Sequence, residues 1–375
     1  MTIRRFSGAV LFVAFAAAAR REEHTKDFAR TLALGAGERV SIENRFGDVT
    51  VRGMSQRDVN IKAVIRVQAG SQEEARKWAD QVEVKVDQGG GILSVRTVYP
   101  EKKDAISFSV SYDITMPDSA PLEVNNKFAA TSVADVKSDV SIRSSHGKVL
   151  ARYGRGKWQI ENAFGSVEAL SNQGDVTVNN SHGAVTVNDA SGAVSVKNRF
   201  AAVTVAKAGK DLVVTNQNGP VEARSVSGRA EVTTSFAHIN LENVSGAVTV
   251  HNRNGGVKLR GAENGARVDT SFASVTAEEV SGAIDVNSRH GQIAVSGLKG
   301  KCAPLYLKTE FGAIRVSLPA GASYNAAAKT SFGHIASDFG SISKDGNKQT
   351  LSTRIGAAEC DMSLTTHHGN IELRK

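Results

Sequence analysis

The sequence predicts an all-β fold: a parallel β-solenoid of 18-residue repeats, β-helix-like, with a small β-rich N-terminal cap that contains one short helix. Three observations predict it. One phrase, NRFGDVTV at 44–51, returns as NKFAATSV (126–133), NAFGSVEA (162–169), NSHGAVTV (180–187), NRFAAVTV (198–205) and THHGNIEL (366–373). The third residue of each copy marks a fixed period: Phe128, His146, Phe164, His182, Phe200, Asn218, Phe236, Asn254, Phe272 and His290 follow one another in steps of 18. Within each unit apolar and polar residues alternate at period two, the mark of a strand with one buried face. Self-similarity at a fixed short period is the signature of a solenoid.

The amino-terminal segment, 1–19, stands apart from the repeats. Arg4 and Arg5 precede the apolar run GAVLFVAFAAAA (8–19), which ends in small residues. The run is short for a bilayer span, so 1–19 is expected to be a cleaved signal peptide, with the mature chain starting near Arg20 and carrying no transmembrane anchor. No Cys follows the run, so a lipid anchor is not expected.

Residues 20–125 are expected to form the cap together with the first repeat strand. The step from Phe46 to Phe128 is not a multiple of the repeat period. SQEEARKWADQ (71–81) predicts a helix opened by a Ser71–Glu74 capping box. VNIKAVIRVQ (59–68), VEVKV (82–86), ILSVRTV (92–98) and ISFSVSYDITM (106–116) read as strands. A cap is needed because an open solenoid end exposes unpaired backbone.

Residues 126–375 are expected to be the repeat domain. In SGAVTVHNRNGGVKL (245–259), Val248, Val250, Val257 and Leu259 should face inward and Thr249 outward. The residue two before the marker is always Asn, Ser or Thr, suited to hydrogen bonding up the stack. The residue after the marker is always Gly or Ala, which points to a turn with positive φ. Eight of the eleven Phe outside the signal are markers, read as corner packing. The marker alternates between Phe and His or Asn. An 18-residue coil is expected, because the other columns ignore that alternation; a 36-residue coil is the alternative. Thirteen 18-residue coils from 126 onward would make a rod of about 60 Å. Markers Phe311, Phe332 and His368 break the step, and 337–364 is expected to form a broader terminal rung or loop.

Cys302 and Cys360 lie nine and eight positions before Phe311 and His368. Regular stacking would separate them by about 14 Å, beyond the roughly 7 Å that a disulfide spans. Free thiols are therefore expected, with a bridge in an oxidising compartment as the alternative.

This layout resembles the bacterial "putative adhesin" family of β-strand-repeat proteins, a domain of unknown function. The resemblance rests on VSIENRFGDVTVRG (40–53), the helix-bearing insert, ITMPDSAPLEVNNKFAATSV (114–133), the SGAVTV-type repeats and the closing IGAAECDMSLTTHHGNIEL. It implies an exported β-solenoid and carries over no functional residues.

The formal charge of +8, or +6 without Arg4 and Arg5, comes from interspersed charges of both signs, so nucleic acid is not an expected partner. His146 and His182 would lie two rungs, about 9–10 Å, apart with Phe164 between them, too far to share a zinc ion. His290, His367 and His368 are read as turn residues. Glu168, Glu222 and Glu372 are scattered, and no carboxylate pair of the glycosidase kind is written. Thr177, Thr186, Thr204, Thr249 and Thr276 should face solvent. The expectation is a non-catalytic scaffold with no catalytic, cofactor or metal residues and no cofactor. It would be a surface-binding protein of the periplasm, cell surface or medium, meeting an envelope or extracellular glycan or protein. A carbohydrate-active β-helix enzyme and an envelope sensor module are the alternatives. An enzyme would need an exceptional cluster in the outward columns, whereas a binding scaffold would not.

Overall fold

The computed structural model describes residues 21–101, 106–300 and 302–375. The expected signal peptide, 1–19, lies outside the described residues. Strands pair in parallel with a register of 18: Val176 faces Val194, which faces Leu212, and Val185 faces Val203, which faces Val221. Each coil places one strand in each of two sheets, one of them 17-stranded. The core lies between the sheets. Val248, Val250, Val257 and Leu259 are buried to 2% exposure or less, and Thr249 is half-buried on the outer face. β-branched columns suit this geometry because each side chain meets its own kind on the rungs above and below. Trp158 interrupts the Val140–Val176 column, and Gly154 makes room for it: a Cβ there would collide with the indole.

One repeat unit makes one coil, so the two-unit alternative is excluded. The alternation nevertheless reaches beyond the marker. Asp139, Asp175 and Asp211 recur on every second rung, and their carboxylates accept from the backbone N–H of Lys157, Ala193 and Arg229 on the next rung at 2.8–2.9 Å. The repeat is thus a pair of coils with two slightly different chemistries.

The turn after the marker departs from expectation. Among its glycines only Gly47 (φ 111°) and Gly255 (φ 110°) are left-handed. At Gly147, Gly165 and Gly183 the constraint is close approach, since a Cβ would collide with the carbonyl oxygen of Ala129, Gly147 and Gly165 on the rung below. The left-handed column lies elsewhere. Asp135, Tyr153, Ser171, Asp189, Lys207, Ser225 and Asn243, one on each successive rung, have φ of 55–61°. Each costs about 1 kcal/mol in isolation, and is held by the rungs on either side.

The amino end is built from β1 (Glu22–Ala33), β2 (Arg39–Asn44), β3 (Val49–Met54), β4 (Asp58–Ala69), α1 (Gln72–Ala79), β5 (Glu83–Gly89), β6 (Ile92–Val98), β7 (Ser107–Pro117), β8 (Leu122–Asn126) and β9 (Thr131–Ala134). The rung β2/β3 does not stand outermost. β2 pairs with both β6 and β8, and β3 with both β7 and β9. The long step from Phe46 to Phe128 is therefore one rung: Val40 faces Leu122 directly. β5 then closes on β6, and β4 on β7, as antiparallel strands, with β1 antiparallel on β4. Ser71 Oγ accepts from Glu74 N at 3.2 Å to open α1, which buries Ala75 and Ala79.

The carboxyl end uses the same device. Cys360–Thr366 inserts between Leu305–Lys308 and Tyr324–Thr330, pairing in parallel with both. Ile371–Arg374 inserts likewise between Ile314–Ser317 and Ile335–Ser337. Lys348–Ile355 then covers Tyr324–Thr330 antiparallel and forms a hairpin with Ile342–Asp345, where a broad rung or loop was expected. This insertion overturns the free-thiol expectation. It brings Cys360 one rung from the segment after residue 301, and Cys302 and Cys360 form a disulfide with Cα atoms 5.6 Å apart.

Candidate functional site

Each coil turns between its sheets at the marker. The buried residue two before it fixes that turn. Asn162 Nδ2 donates to Gly165 O at 2.9 Å on its own rung and to Gly147 O at 3.0 Å on the rung below. Asn180, Asn198 and Asn216 repeat the pattern at 2.7–3.2 Å. Where the residue is Asn, a buried amide donating twice to carbonyls that the turn leaves unpaired holds the marker in place; at Thr309, Thr330 and Thr366 a hydroxyl donates once to a Gly carbonyl instead.

The markers point outward and stack. Ring centroids run Phe128–His146 4.9 Å, His146–Phe164 4.7 Å, Phe164–His182 4.7 Å and His182–Phe200 4.8 Å, near parallel. Asn218 and Asn254 interrupt the ladder around Phe236. It resumes as Phe272–His290, His290–Phe311, Phe311–His368 and His368–Phe332, at 4.8–5.1 Å. The inserted rung restores the alternation that the linear order breaks: His368 lies between Phe311 and Phe332. These rings are not corner packing. Phe128, Phe164, Phe200, Phe236, Phe272, Phe311 and Phe332 are 46–57% exposed. Where the rings stack, neighbours cover their faces and their edges meet solvent.

Cations line the ladder. The Arg45 guanidinium lies 5.0 Å over Phe46 and that of Arg199 5.4 Å over Phe200. Tyr99 closes the amino end, edge-on to Phe46 at 5.3 Å, and its hydroxyl donates to Asn44 Oδ1 at 2.8 Å. Burial pushes the Tyr99 phenol up, so it stays a neutral donor there. The repeat pattern gives no sign of Tyr99, because it belongs to no marker copy.

The remaining sequence candidates are not brought together. His146, His182 and His290 alternate with Phe along the ladder. His367 stacks edge-on to His368 at 4.5 Å and to Phe332 at 5.3 Å. Glu168 pairs with Lys148 at 2.7 Å and Glu372 with Arg315 at 3.5 Å. Thr177 and Thr249 lie on one sheet and Thr186, Thr204 and Thr276 on the other, so the threonines form no single ladder. Among the described residues no group of three His, Cys, Asp or Glu could hold a metal ion, and no helix is long and apolar enough to cross a membrane.

The family model described as Toastrack DUF4097 matches residues 37–374. Two solved structures are similar to the chain. A "putative cell adhesion protein" from Clostridium sporogenes ATCC 15579 is 10% identical, with 94% of this chain and 99% of that chain covered and a TM-score of 0.20. A "putative adhesin" from Bacteroides fragilis NCTC 9343 is 10% identical, with 93% and 97% covered and a TM-score of 0.18. No curated protein matches the chain.

Proposed function

The chain belongs to the Toastrack DUF4097 family, and on that premise we propose that it is an exported, non-catalytic scaffold whose aromatic edge binds a partner of the bacterial cell envelope. One observation carries this reading. Every exposed Phe among the described residues stands in a single file along one edge. A line of half-exposed rings is unfavourable in water unless something covers it, and such apolar surfaces mark interaction sites. The flanking arginines and lysines would suit an anionic neighbour. Export rests on the Arg-flanked apolar run at 4–19.

Co-sedimentation of the 20–375 chain with a bacterial envelope fraction tests the edge. The variant Phe164→Ser/Phe200→Ser/Phe236→Ser should fold, by β-type circular dichroism and cooperative melting, yet bind about tenfold less. Undiminished binding by that folded variant would remove the edge from the function. N-terminal sequencing of envelope-fraction protein should begin near Arg20; an intact Met1 on cytoplasmic protein would refute export.

A further inference from the structure

The inserted carboxyl-terminal rung creates a notch with its own chemistry. Thr365 of that rung faces Lys308 on one side and Lys329 on the other in the outer column of one sheet. A short side chain between two long ones leaves a depression. It opens as a cleft of about 460 Å³ lined by Lys308, Phe311, Lys329, Thr365, His367 and His368. A second depression of about 300 Å³ shares Lys308 and Thr365 with it and continues to Tyr306.

The charges here are free. Neither Lys308 nor Lys329 makes an ion pair with a described residue, whereas the neighbouring carboxylates are occupied. Glu310 is held by Arg289 at 3.6 Å, and Asp269 and Asp285 by Arg267 at 3.2 and 3.7 Å. Two rungs separate the lysines, about 9.6 Å, so they present two cations along a straight edge. The hydroxyls of Thr309, Thr330 and Thr366 are spent on carbonyls of Gly291, Gly369 and Gly312. Thr365 Oγ1 and Ser331 Oγ have no such partner among the described residues.

Tyr306 decides the class of ligand. It is 44% exposed and, unlike the Phe rings of the ladder, stacks on no described ring, so no aromatic neighbour covers its face. An open aromatic face receives the C–H face of a pyranose, and a pair of unpaired ammonium groups beside it receives carboxylates. From this juxtaposition we infer that the notch at Tyr306, Lys308, Thr365 and Lys329 is a subsite for an acidic, uronate-bearing oligosaccharide. It rests on the reading of the chain as a binding scaffold and names a ligand class for its carboxyl end.

Isothermal titration of the 20–375 chain tests it with three probes: hexagalacturonate, neutral maltohexaose and hexaglutamate. Hexagalacturonate should bind, weakening as salt rises, and the two others should bind at least about tenfold more weakly. Lys308→Ala/Lys329→Ala and, separately, Tyr306→Ala should each weaken hexagalacturonate about tenfold or more, while Val213→Thr, on the outer face of a distant rung of the same sheet, should leave it unchanged. No binding of hexagalacturonate by the wild type overturns the subsite. So does equal binding of hexaglutamate with no effect of Tyr306→Ala, which would reveal an unselective cationic patch. Envelope co-sedimentation of the same variants separates the two ideas: undiminished envelope binding with no uronate binding removes the subsite and leaves the scaffold reading standing.

Discussion

The middle of the rod and its two ends obey different rules. From Asn126 to His290, neighbours in sequence are neighbours in space, each coil resting on the one before at a register of 18. At the ends that order fails. The first rung, β2/β3, lies beneath β6/β7, and the last, Cys360–Thr366 with Ile371–Arg374, lies beneath Tyr324–Thr330 with Ile335–Ser337. The difference teaches how an open stack is closed. A coil added in order would leave its last strand as a parallel edge for another chain to extend. Here each terminal rung is gripped on both sides, and antiparallel strands cover the outermost rung.

The largest effect should come from deletions that pit middle against end. Removing 183–200 takes out one coil, after which the Val columns meet in register, so the variant should melt cooperatively with a modest loss. Removing 357–375 takes out the inserted rung and deprives the strands above and below it of the partner they share. Hydrogen exchange should then show protection lost across 305–355. Equal protection there in both variants would erase the distinction between the regions.

Point charges sharpen it next. Val250 in the middle and Leu364 in the inserted rung are both buried, at 0% and 1% exposure. Val250→Asp and Leu364→Asp should each cost several kcal/mol in chemical denaturation, and Thr249→Asp only about 0.5 kcal/mol. A mild Leu364→Asp would mean that the inserted rung is not part of the continuous core.

The disulfide comes third. Cys302–Cys360 joins positions 58 apart in sequence, so Cys302→Ser/Cys360→Ser should lower stability by about 2–4 kcal/mol. Thiol counting under denaturing, non-reducing conditions should find no free thiol. Protection should fall at 360–374 and persist at 140–290; a uniform fall would contradict a local clamp.

The smallest effects are electrostatic, with one site in each region. The backbone N–H of Arg229, and then its guanidinium, holds the Asp211 carboxyl below its ordinary 3.8; the backbone N–H of Lys375, and then the Arg374 side chain, does the same for Asp338. A carboxyl lowered by folding stabilises the native state fully above its ordinary value, and the contribution is lost as pH falls through the lowered value. Asp211→Asn and Asp338→Asn should therefore lower stability slightly at neutral pH, converge with the wild type at low pH, and so flatten the acid limb of the stability curve. An unaltered acid limb in both would show that these exposed contacts do not persist in solution.

Particular elements show what can be read in advance. The coil length, the inward Val columns, the buried Asn column and α1 with its Ser71 cap follow from alternation, period and capping chemistry, which act over short stretches of chain. β1 is not legible because its exposed face carries Glu23, Thr25 and Asp27 and its other face, with His24, Lys26 and Phe28, is only half-buried. The left-handed column is not legible because its residues share no chemistry, only a place where the neighbouring rungs dictate φ. The outward stacking of the Phe markers is hidden too, because periodicity locates a column without saying on which side of a turn its side chains lie.

By itself, then, the sequence determined the coil: a repeat that meets its own copy at a constant period sets register through identical side chains on adjacent rungs. Tertiary structure alone decided the order of the rungs at the ends. Val40 on Leu122 and Met362 on Leu305 are pairings between matching columns that lie far apart in the chain. Any copy of the repeat satisfies another's columns, so local chemistry cannot choose among them. The choice falls to closure of the exposed ends and to the Cys302–Cys360 bond, and it is that choice that sets Thr365 between two lysines and His368 between two Phe rings.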